Sequence, residues 1–406
     1  MSSSRTAPPA RMPANERAEP LPLAALLALA MTGFICIVTE TLPAGLLPQI
    51  VEGLGVSASL AGQMVTLYAL GSLLAAIPLT MATRRWRRRT VLLATIVGFL
   101  VFNTLTALSS SYALTLVARF FAGASAGLAW ALLAGYARRM VLPHQQGRAM
   151  AVAMVGAPVA LSLGVPLGTW MGALLGWRTT FGVMSLLSLG LIAWVLAKVP
   201  DYPGQASDAQ SLPLGRVLTT PGVRPVLGVV LAWMLAHNLL YTYVAPFVAP
   251  SGLGDSVDVV LLVFGAAALL GIWITGRVVD RHLRRAVLAS LGVFALVTLL
   301  FGLFASLPLA IFVGVGAWGA TFGGAATLLQ TALADTAGEG ADVALSMNVV
   351  TWNSAIAGAG LLGGVLLDRV GVASLPWAAL ALVLVGLVIA CAARTRGFPV
   401  RRATHR

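Results

Sequence analysis

The sequence predicts an all-α polytopic membrane protein, with twelve transmembrane helices arranged as two parallel six-helix repeats around a central cavity. Three observations support this prediction. Of the 406 residues, 59% are hydrophobic and only 10% are charged, whereas an average soluble domain is about a quarter charged. Apolar runs long enough to cross the hydrocarbon core recur along the chain. The second half of the chain also repeats the first at a constant spacing.

Twelve apolar runs have the length of about 20 residues that a transmembrane helix needs. The first six predicted spans cover 23–48, 58–82, 90–108, 112–137, 148–172 and 178–198. The second six cover 225–249, 257–279, 286–305, 308–333, 344–367 and 374–393. We therefore expect an N-terminal six-helix half over 21–199 and a C-terminal six-helix half over 224–393.

The segments outside the two halves are polar. Residues 200–223 are rich in proline and small polar side chains, which predicts a cytoplasmic linker. Residues 1–20 are rich in Ser, Ala, Pro and Arg, a composition that predicts a disordered cytoplasmic tail. Residues 394–406 carry several arginines and are predicted to form a basic cytoplasmic tail.

The positions of the arginines predict the orientation in the membrane. They cluster after the second, fourth and eighth spans and at the C-terminus, as RRWRRR at 84–89, Arg138, Arg139, Arg148, Arg281, Arg284, Arg285 and the arginines from Arg394 onward. Because loops rich in Lys and Arg stay in the cytoplasm, we expect both termini there, in a multi-pass protein of the cell (inner or plasma) membrane. Short clusters between apolar runs also explain the net charge of +13 without a nucleic-acid partner.

A shift of 196 residues superimposes the two halves of the sequence. It places Arg88 and Arg89 on Arg284 and Arg285, Gly123 and Gly127 on Gly319 and Gly323, and Gly164 and Gly168 on Gly360 and Gly364. Six spans per repeat, an even number, give both halves the same orientation in the membrane. Proteins with such parallel repeats bind their substrate near the midplane, between the halves.

The sequence lacks the patterns of a metalloprotein or an ATPase. Cys36 and Cys391 lie near opposite ends of the chain, without CxxC spacing or a Cys/His cluster. No Walker A or HExxH sequence is present, and no catalytic motif is recognised. We therefore expect no enzyme activity, no metal and no cofactor.

Two ionisable residues are predicted to lie inside the membrane. Glu40 is in VTETLPAGLLPQI, at the end of the first span, and Arg119 is in LVARFFAGASAGLAW, in the fourth. At about 1.5 Å per helical residue, both lie about 10–12 Å below the outer surface. Intramembrane charges are costly and indicate a functional site, so we hypothesise that Glu40 couples proton movement and that Arg119 tunes it. The alternative is a permanent structural ion pair, or a carboxylate in the outer mouth.

Further polar side chains fall within the predicted spans. His237, in the middle of the seventh span, is either a third proton-coupling residue, since histidine titrates near neutral pH, or a hydrogen-bonded structural group. The candidates for lining a substrate cavity are Trp130, Asn238, Tyr241, Trp318, Gln330, Asn348, Trp352 and Asn353. The aromatic members could stack on a flat or apolar substrate, and aromatic core packing explains them equally well.

The loop after the eighth span, GRVVDRHLRR, carries a recognisable motif. It resembles the cytoplasmic gating motif of the major facilitator superfamily, whose positions here are Gly276, Asp280, Arg281, Arg284 and Arg285. The resemblance implies that a carboxylate held against arginines latches the cytoplasmic side. In the first-half copy, MATRRWRRR, Arg84 stands where the repeat expects the counterpart of Asp280. Either another carboxylate serves there, or that loop fixes topology and contacts anionic lipid.

The fifth span, GAPVALSLGVPLGTWMG, resembles the glycine–proline motif of antiporters, with Gly156, Gly164, Pro166 and Gly168 at its positions. Together with TETLPAGLLPQI and RAMAVAM, it makes the chain similar to the twelve-span drug:proton antiporters of that superfamily, among them the sugar- and arabinose-efflux-like permeases and the chloramphenicol exporters. The resemblance covers nearly the whole chain.

This resemblance implies a monomeric secondary transporter that exports a drug-like or sugar-like small molecule by alternating access, in exchange for protons, with the proton gradient as its energy source. A role in multidrug resistance would follow. Proton-coupled uptake by the same fold remains the alternative. A polytopic membrane enzyme is less favoured, because it would leave the pronounced repeat unexplained. A transporter-derived sensor is also less favoured, and variants that lose transport but keep a signalling phenotype would indicate it.

Overall fold

A computed structural model describes residues 21–204 and 213–399, which are helical and contain no strand. The predicted tail over 1–20, residues 205–212 of the predicted linker and residues 400–406 of the predicted basic tail lie outside the described residues. In the described ranges, eleven helices are long and apolar enough to cross a membrane.

One of the eleven helices accounts for two predicted spans. Val257–Phe304 is 48 residues long, and His282 within it has the non-helical angles φ −133° and ψ 31°. At about 1.5 Å per residue, this length would cross a bilayer twice. The break at His282 therefore separates span 8 (257–281) from span 9 (283–304), and the twelve predicted spans are confirmed.

The remaining spans agree closely with the predicted ranges. In the N-terminal half, spans 1 to 6 are Leu23–Gly45, Ala58–Thr83, Arg88–Leu108, Tyr112–Arg139, Gln146–Leu175 and Trp177–Lys198. In the C-terminal half, span 7 is Val223–Thr242, span 11 is Ala341–Arg369 and span 12 is Ser374–Ala392. Span 10 is divided into Pro308–Gly323 and Ala325–Ala337.

Span 5 is irregular near its centre. A single π-helical turn, Ala160–Gly164, precedes Pro166. Proline lacks a backbone N–H and displaces the carbonyl of the preceding turn, and π-turns are a recognised cause of helix bends. The π-turn and Pro166 together give span 5 a local structural basis for a bend.

The 196-residue repeat is visible as one packing contact that recurs. Added Cβ atoms at glycines of spans 4 and 10 would collide with backbone carbonyls of spans 2 and 8. The pairs are Gly123 with Tyr68, Gly127 with Ser72, Gly319 with Phe264, and Gly323 with Ala268. Adding 196 to both residue numbers of a first-half pair gives the corresponding second-half pair. Small residues let membrane helices approach closely, and here they do so identically in both halves.

The two halves pack against each other through span 2 with span 11 and through span 5 with span 8. We call the end of the bundle opposite the chain termini the distal end. There, the Gln63 amide donates a hydrogen bond to the Gly360 carbonyl across the halves (3.2 Å). Nearer the middle, Ser162 in the π-turn donates to the Gly265 carbonyl (3.0 Å).

Tyr243, which ends span 7, completes the distal contact. Its hydroxyl donates to the same Gly360 carbonyl (2.6 Å). A Cβ added at Gly62 of span 2 would lie within 2.6 Å of Cε1 and Cζ of the Tyr243 ring. The ring therefore needs a glycine opposite it. We refer to Gly62, Gln63, Tyr243 and Gly360 as the distal seal.

Candidate functional site

Arg119 is fully buried inside the N-terminal half. Its Nε donates to the carbonyl of Met64 (3.2 Å), and its Nη2 donates to the carbonyls of Thr39 (2.6 Å) and Glu40 (3.3 Å). Spans 1 and 2 thus hold the guanidinium through main-chain oxygens. The fork of donors on arginine suits several acceptors in fixed positions.

Two aromatic rings cover the same guanidinium. Its Cζ lies 4.8 Å from the ring centroid of Tyr68 and 5.6 Å from that of Phe181, within the range of cation–π attraction. The Tyr68 hydroxyl is itself fixed by donating to the Cys36 carbonyl (2.8 Å). Among the described residues, Nη1 of Arg119 has no hydrogen-bond partner.

Glu40 lies beside Arg119, and the predicted match in depth is present. The contact, however, runs through the Glu40 carbonyl. In the described part of the chain, the Glu40 carboxylate forms no ion pair with Arg119, although the two charges interact electrostatically. The side chain is half-buried. The permanent structural ion pair between these two side chains is therefore not formed in the described residues, and proton coupling by Glu40 stays a prediction.

Tyr241 lies on span 7, in the other half, near this carboxylate. Spans 1 and 7 are in contact, and the Tyr241 phenol interacts electrostatically with Glu40. The side chain is 3% exposed, and its hydroxyl has no hydrogen-bond partner among the described residues. A buried polar atom without a partner is rare in native proteins and calls for an explanation.

His237 lies in an aromatic cluster with Tyr241, Phe264, Trp318 and Phe322. Its ring stacks on Phe322, with centroids 3.5 Å apart and an interplanar angle of 9°. The indole Nε1 of Trp318 donates to His237 Nδ1 (3.1 Å). Because an indole N–H can only donate, this Nδ1 carries no proton. The arrangement favours the structural role of His237 over proton coupling.

The predicted cavity residues differ in their surroundings. Asn238 and Asn353 donate to carbonyls one turn back on their own helices, at 2.8 and 2.9 Å. Asn348 is 3% exposed, and its Oδ1 has no partner in the described ranges. Trp352 packs into a small cluster formed by spans 2 and 11, and so lies between the halves. Gln330 is exposed.

Two tryptophans lie close to the candidate site. A Cβ added at Gly33 of span 1 would lie 3.4 Å from the Trp130 ring, so this indole packs on the helix that carries Glu40. Trp318 is 1% exposed and sits within the aromatic cluster. Phe322 is the partly exposed ring of that cluster.

The glycines of the antiporter-like segment face span 1. Gly156 is opposite Ala30, Gly164 is opposite Phe34 and Val38, and Gly168 is opposite Leu42, each too close to accommodate a Cβ. Span 5 therefore packs directly on the helix of Glu40, while its π-turn contacts span 8. A movement between the halves at span 5 would reach Glu40 through rigid contacts.

The gating-motif residues lie around the break between spans 8 and 9. Arg284 donates to the carbonyls of Ala390 (2.9 Å), Cys391 (3.1 Å) and Phe398 (3.0 Å). It thereby satisfies carbonyls at the end of span 12, where a cation also complements the helix dipole. The other motif residues, Gly276, Asp280, Arg281 and Arg285, are exposed.

In the first half, a carboxylate from outside the loop contacts the arginine loop that follows span 2. Asp201, just after span 6, forms an ion pair with Arg87 and accepts a hydrogen bond from the Arg89 N–H (3.2 Å). Desolvation by burial opposes ionisation, but these hydrogen bonds and the charges of both arginines outweigh it and lower the pKa of Asp201. The neighbouring Arg88 N–H donates to the Tyr202 carbonyl (2.8 Å). Of the two alternatives that the sequence left open, another carboxylate thus has a candidate in Asp201, and its role in gating stays a prediction.

Sequence reasoning missed Asp201, although the repeat contains a signal for it. The 196-residue shift places Tyr202 and Pro203 on Phe398 and Pro399, and both segments contact the arginine at the matching position. GASAG at 123–127 has the GxSxG spacing of a nucleophile elbow. Its Ser125 is in the middle of span 4 and donates to the Phe121 carbonyl (3.1 Å), without the strand–turn–helix context that a nucleophile elbow requires.

Comparison with known proteins agrees with the repeat and the fold. The model of the Major Facilitator Superfamily matches residues 29–338. The purine ribonucleoside efflux pump NepI of Escherichia coli O6:H1 is 30% identical over 345 residues, covering 83% of this chain and 86% of that protein. The protein of the same name from Shigella flexneri is 29% identical over the same length.

A solved structure supports the fold alone. A bacterial homologue of the human lysosomal transporter Spinster, in an inward-facing and unoccupied conformation, superposes with a TM-score of 0.66 at 14% identity, covering 92% of this chain and 96% of that chain. With twelve spans in two repeats and a family match over most of its length, this chain belongs to the Major Facilitator Superfamily, a family of membrane transporters.

Proposed function

We propose that this protein exports purine ribonucleosides, or small molecules closely related to them, in exchange for protons. The observation that carries the proposal is the half-buried Glu40 carboxylate, which lies beside the buried charge of Arg119 without an ion pair to it in the described residues. The substrate class is suggested by the names of the relatives and is compatible with a candidate cavity rich in aromatic rings and poor in charge.

Glu40 can exchange a proton because two influences on it oppose each other. Removal from water disfavours the carboxylate anion, and the adjacent guanidinium favours it. Main-chain carbonyls hold Arg119 in place, so its position does not depend on an ion pair with Glu40. A change in hydration around Glu40 as the halves move would therefore shift the balance. Proton and substrate share this carboxylate, so the proton would bind it on one side of the membrane and the substrate would bind beside it on the other.

The described arrangement corresponds to one state of an alternating-access cycle. With the termini assigned to the cytoplasm by the positive-inside rule, the distal seal closes the outer side, and substrate would enter from the cytoplasm. Phe322 offers a partly exposed ring for stacking a purine base, backed by His237. Export then requires the seal to open.

The test is transport into inverted membrane vesicles with radiolabelled guanosine. An acidic lumen should drive accumulation by the wild-type protein, because protons leave as substrate enters. Glu40→Gln should lose this gradient-driven accumulation. The matched control is Glu52→Gln, which removes an exposed carboxylate from the neighbouring short helix, Leu47–Leu54, and should transport as the wild type does.

Two results would contradict the proposal. Gradient-driven accumulation by Glu40→Gln that equals the wild type would remove Glu40 from proton coupling. Uptake into right-side-out vesicles driven by external acid, without accumulation in inverted vesicles, would replace export by the alternative of proton-coupled uptake.

A further inference from the structure

We propose that Glu40 and Tyr241, one from each half, form a hydroxyl-recognition pair that binds the vicinal diol of a ribose. The inference rests on the proposed function and names the part of the substrate that this site recognises. It begins from the Tyr241 hydroxyl, which is buried and without a hydrogen-bond partner among the described residues.

The Tyr241 ring is held in place by its neighbours. Its centroid lies 5.3 Å from that of His237, 5.5 Å from that of Phe264 and 6.2 Å from that of Trp318. Edge and tilted contacts of this kind fix ring orientation. The position of the hydroxyl is therefore set by the packing of its ring. We infer that a ligand supplies the hydrogen-bond partner that it lacks among the described residues.

Glu40 supplies the complementary chemistry. An ionised carboxylate accepts hydrogen bonds through two oxygens, and a phenol both donates and accepts. Two adjacent sugar hydroxyls can both donate to one carboxylate and still accept from the phenol. Hydrogen bonds to a charged acceptor are short and strong, and Glu40 lies within electrostatic reach of Tyr241. A vicinal diol supplies a donor to each carboxylate oxygen and an acceptor to the phenol, whereas a single hydroxyl can bridge the two residues but leaves one carboxylate oxygen without a donor.

The location of the pair fits recognition during transport. Glu40 is on span 1 of the N-terminal half and Tyr241 is on span 7 of the C-terminal half. Span 1 is in contact with span 7, so a ligand between these side chains touches both halves. The aromatic cluster adjoins Tyr241, which places the partly exposed Phe322 ring where a base attached to the sugar could stack.

The experiment measures kcat/KM for guanosine and for 2′-deoxyguanosine in proteoliposomes containing the purified full-length protein. A site built to hydrogen-bond a hydroxyl discriminates strongly against an analogue that lacks it. We expect the wild type to prefer guanosine by about tenfold or more. Tyr241→Phe should reduce the preference to about threefold or less, mainly through slower guanosine transport. Tyr136→Phe is the matched control, because that buried hydroxyl lies outside the distal seal and already bonds to the Pro200 carbonyl, so its loss should leave the ratio unchanged.

The outcomes separate the inference from the proposed function. If the wild type transports no nucleoside, the proposed function fails and the pair fails with it. If the wild type transports nucleosides but does not discriminate, or Tyr241→Phe keeps the full preference, only the pair is overturned. If Tyr241→Phe is inactive, the ratio of equilibrium affinities for the two nucleosides decides in the same way, with monodispersity in detergent confirming the fold.

Discussion

At the scale of single residues, Asp201 after span 6 forms an ion pair with the arginine loop after span 2, which has no aspartate of its own. Arg87 is 66% exposed, whereas the Asp201 side chain is 16% exposed. The carboxylate also accepts from the backbone N–H of Arg89 at the start of span 3, where a negative charge complements the helix dipole. Asp201 thereby fixes the beginning of the linker to the arginine loop.

Asp201→Asn should destabilise the protein at neutral pH and leave it equally stable in acid. The folded protein lowers the pKa of Asp201, so its contribution is complete above the unfolded pKa of about 3.9 and disappears as pH falls through the folded pKa. The loss at pH 7 should be up to about 1 kcal/mol, because one partner is exposed. Asparagine can still accept from Arg89, so the substitution isolates the charge.

Thermal unfolding in detergent at pH 7 and at acidic pH measures this difference. Asp255→Asn, at an exposed carboxylate before span 8, provides the control. The same pH dependence for Asp201→Asn and Asp255→Asn would show that the ion pair contributes nothing.

At the scale of helices, close packing of spans 2 and 4 depends on glycine. The Tyr68 carbonyl occupies the space that a Cβ at Gly123 would need, whereas Gly135 of the same span has open space around it. Helix propensity alone favours alanine over glycine by up to about 1 kcal/mol. Alanine substitutions at Gly123 and Gly135 therefore separate the effect of packing from the effect of helix propensity within one helix.

Gly123→Ala should lower stability by about 1–3 kcal/mol, since overpacking forces a backbone shift. Gly135→Ala should be neutral or slightly stabilising. Because the repeat conserves the contact, Gly319→Ala should cost about as much as Gly123→Ala. Thermal unfolding of the three variants measures these differences, and equal stability of Gly123→Ala and Gly135→Ala would refute the packing explanation.

The sequence predicts the membrane spans better than it predicts the contacts within the candidate site. Hydropathy and glycine spacing predicted the twelve spans, because membrane burial acts on whole helices. The depth of Glu40 and Arg119 was also predictable from helical rise. The partners of Arg119 were not, since carbonyls carry no sequence signal and their position depends on how spans 1, 2 and 4 pack. The length of span 8 was underestimated because the helix continues through charged residues.

At the scale of the whole molecule, the distal seal is the contact that would have to open if the proposed export takes place. It buries polar atoms of both halves: Gln63 donates to Gly360, while Thr66 Oγ1 beside it is buried with no hydrogen-bond partner in the described ranges. Incomplete hydrogen bonding lowers the stability of a contact. A seal of this kind is strong enough to form and weak enough to open during a transport cycle.

Gly62→Ala should shift the molecule toward the state with an open distal end, because the new methyl group would overlap the Tyr243 ring. The measurement uses a protein without Cys36 and Cys391, carrying Thr66→Cys as a probe. Thr66 is 1% exposed, so a membrane-impermeant maleimide should label the probe slowly in the parent and severalfold faster with Gly62→Ala. Gly358→Ala is the control, since its Cβ would meet only Leu235 Cδ1 at 3.7 Å. Unchanged labelling with Gly62→Ala would mean that the Tyr243 ring can move without separating the halves, and that the seal does not control distal opening.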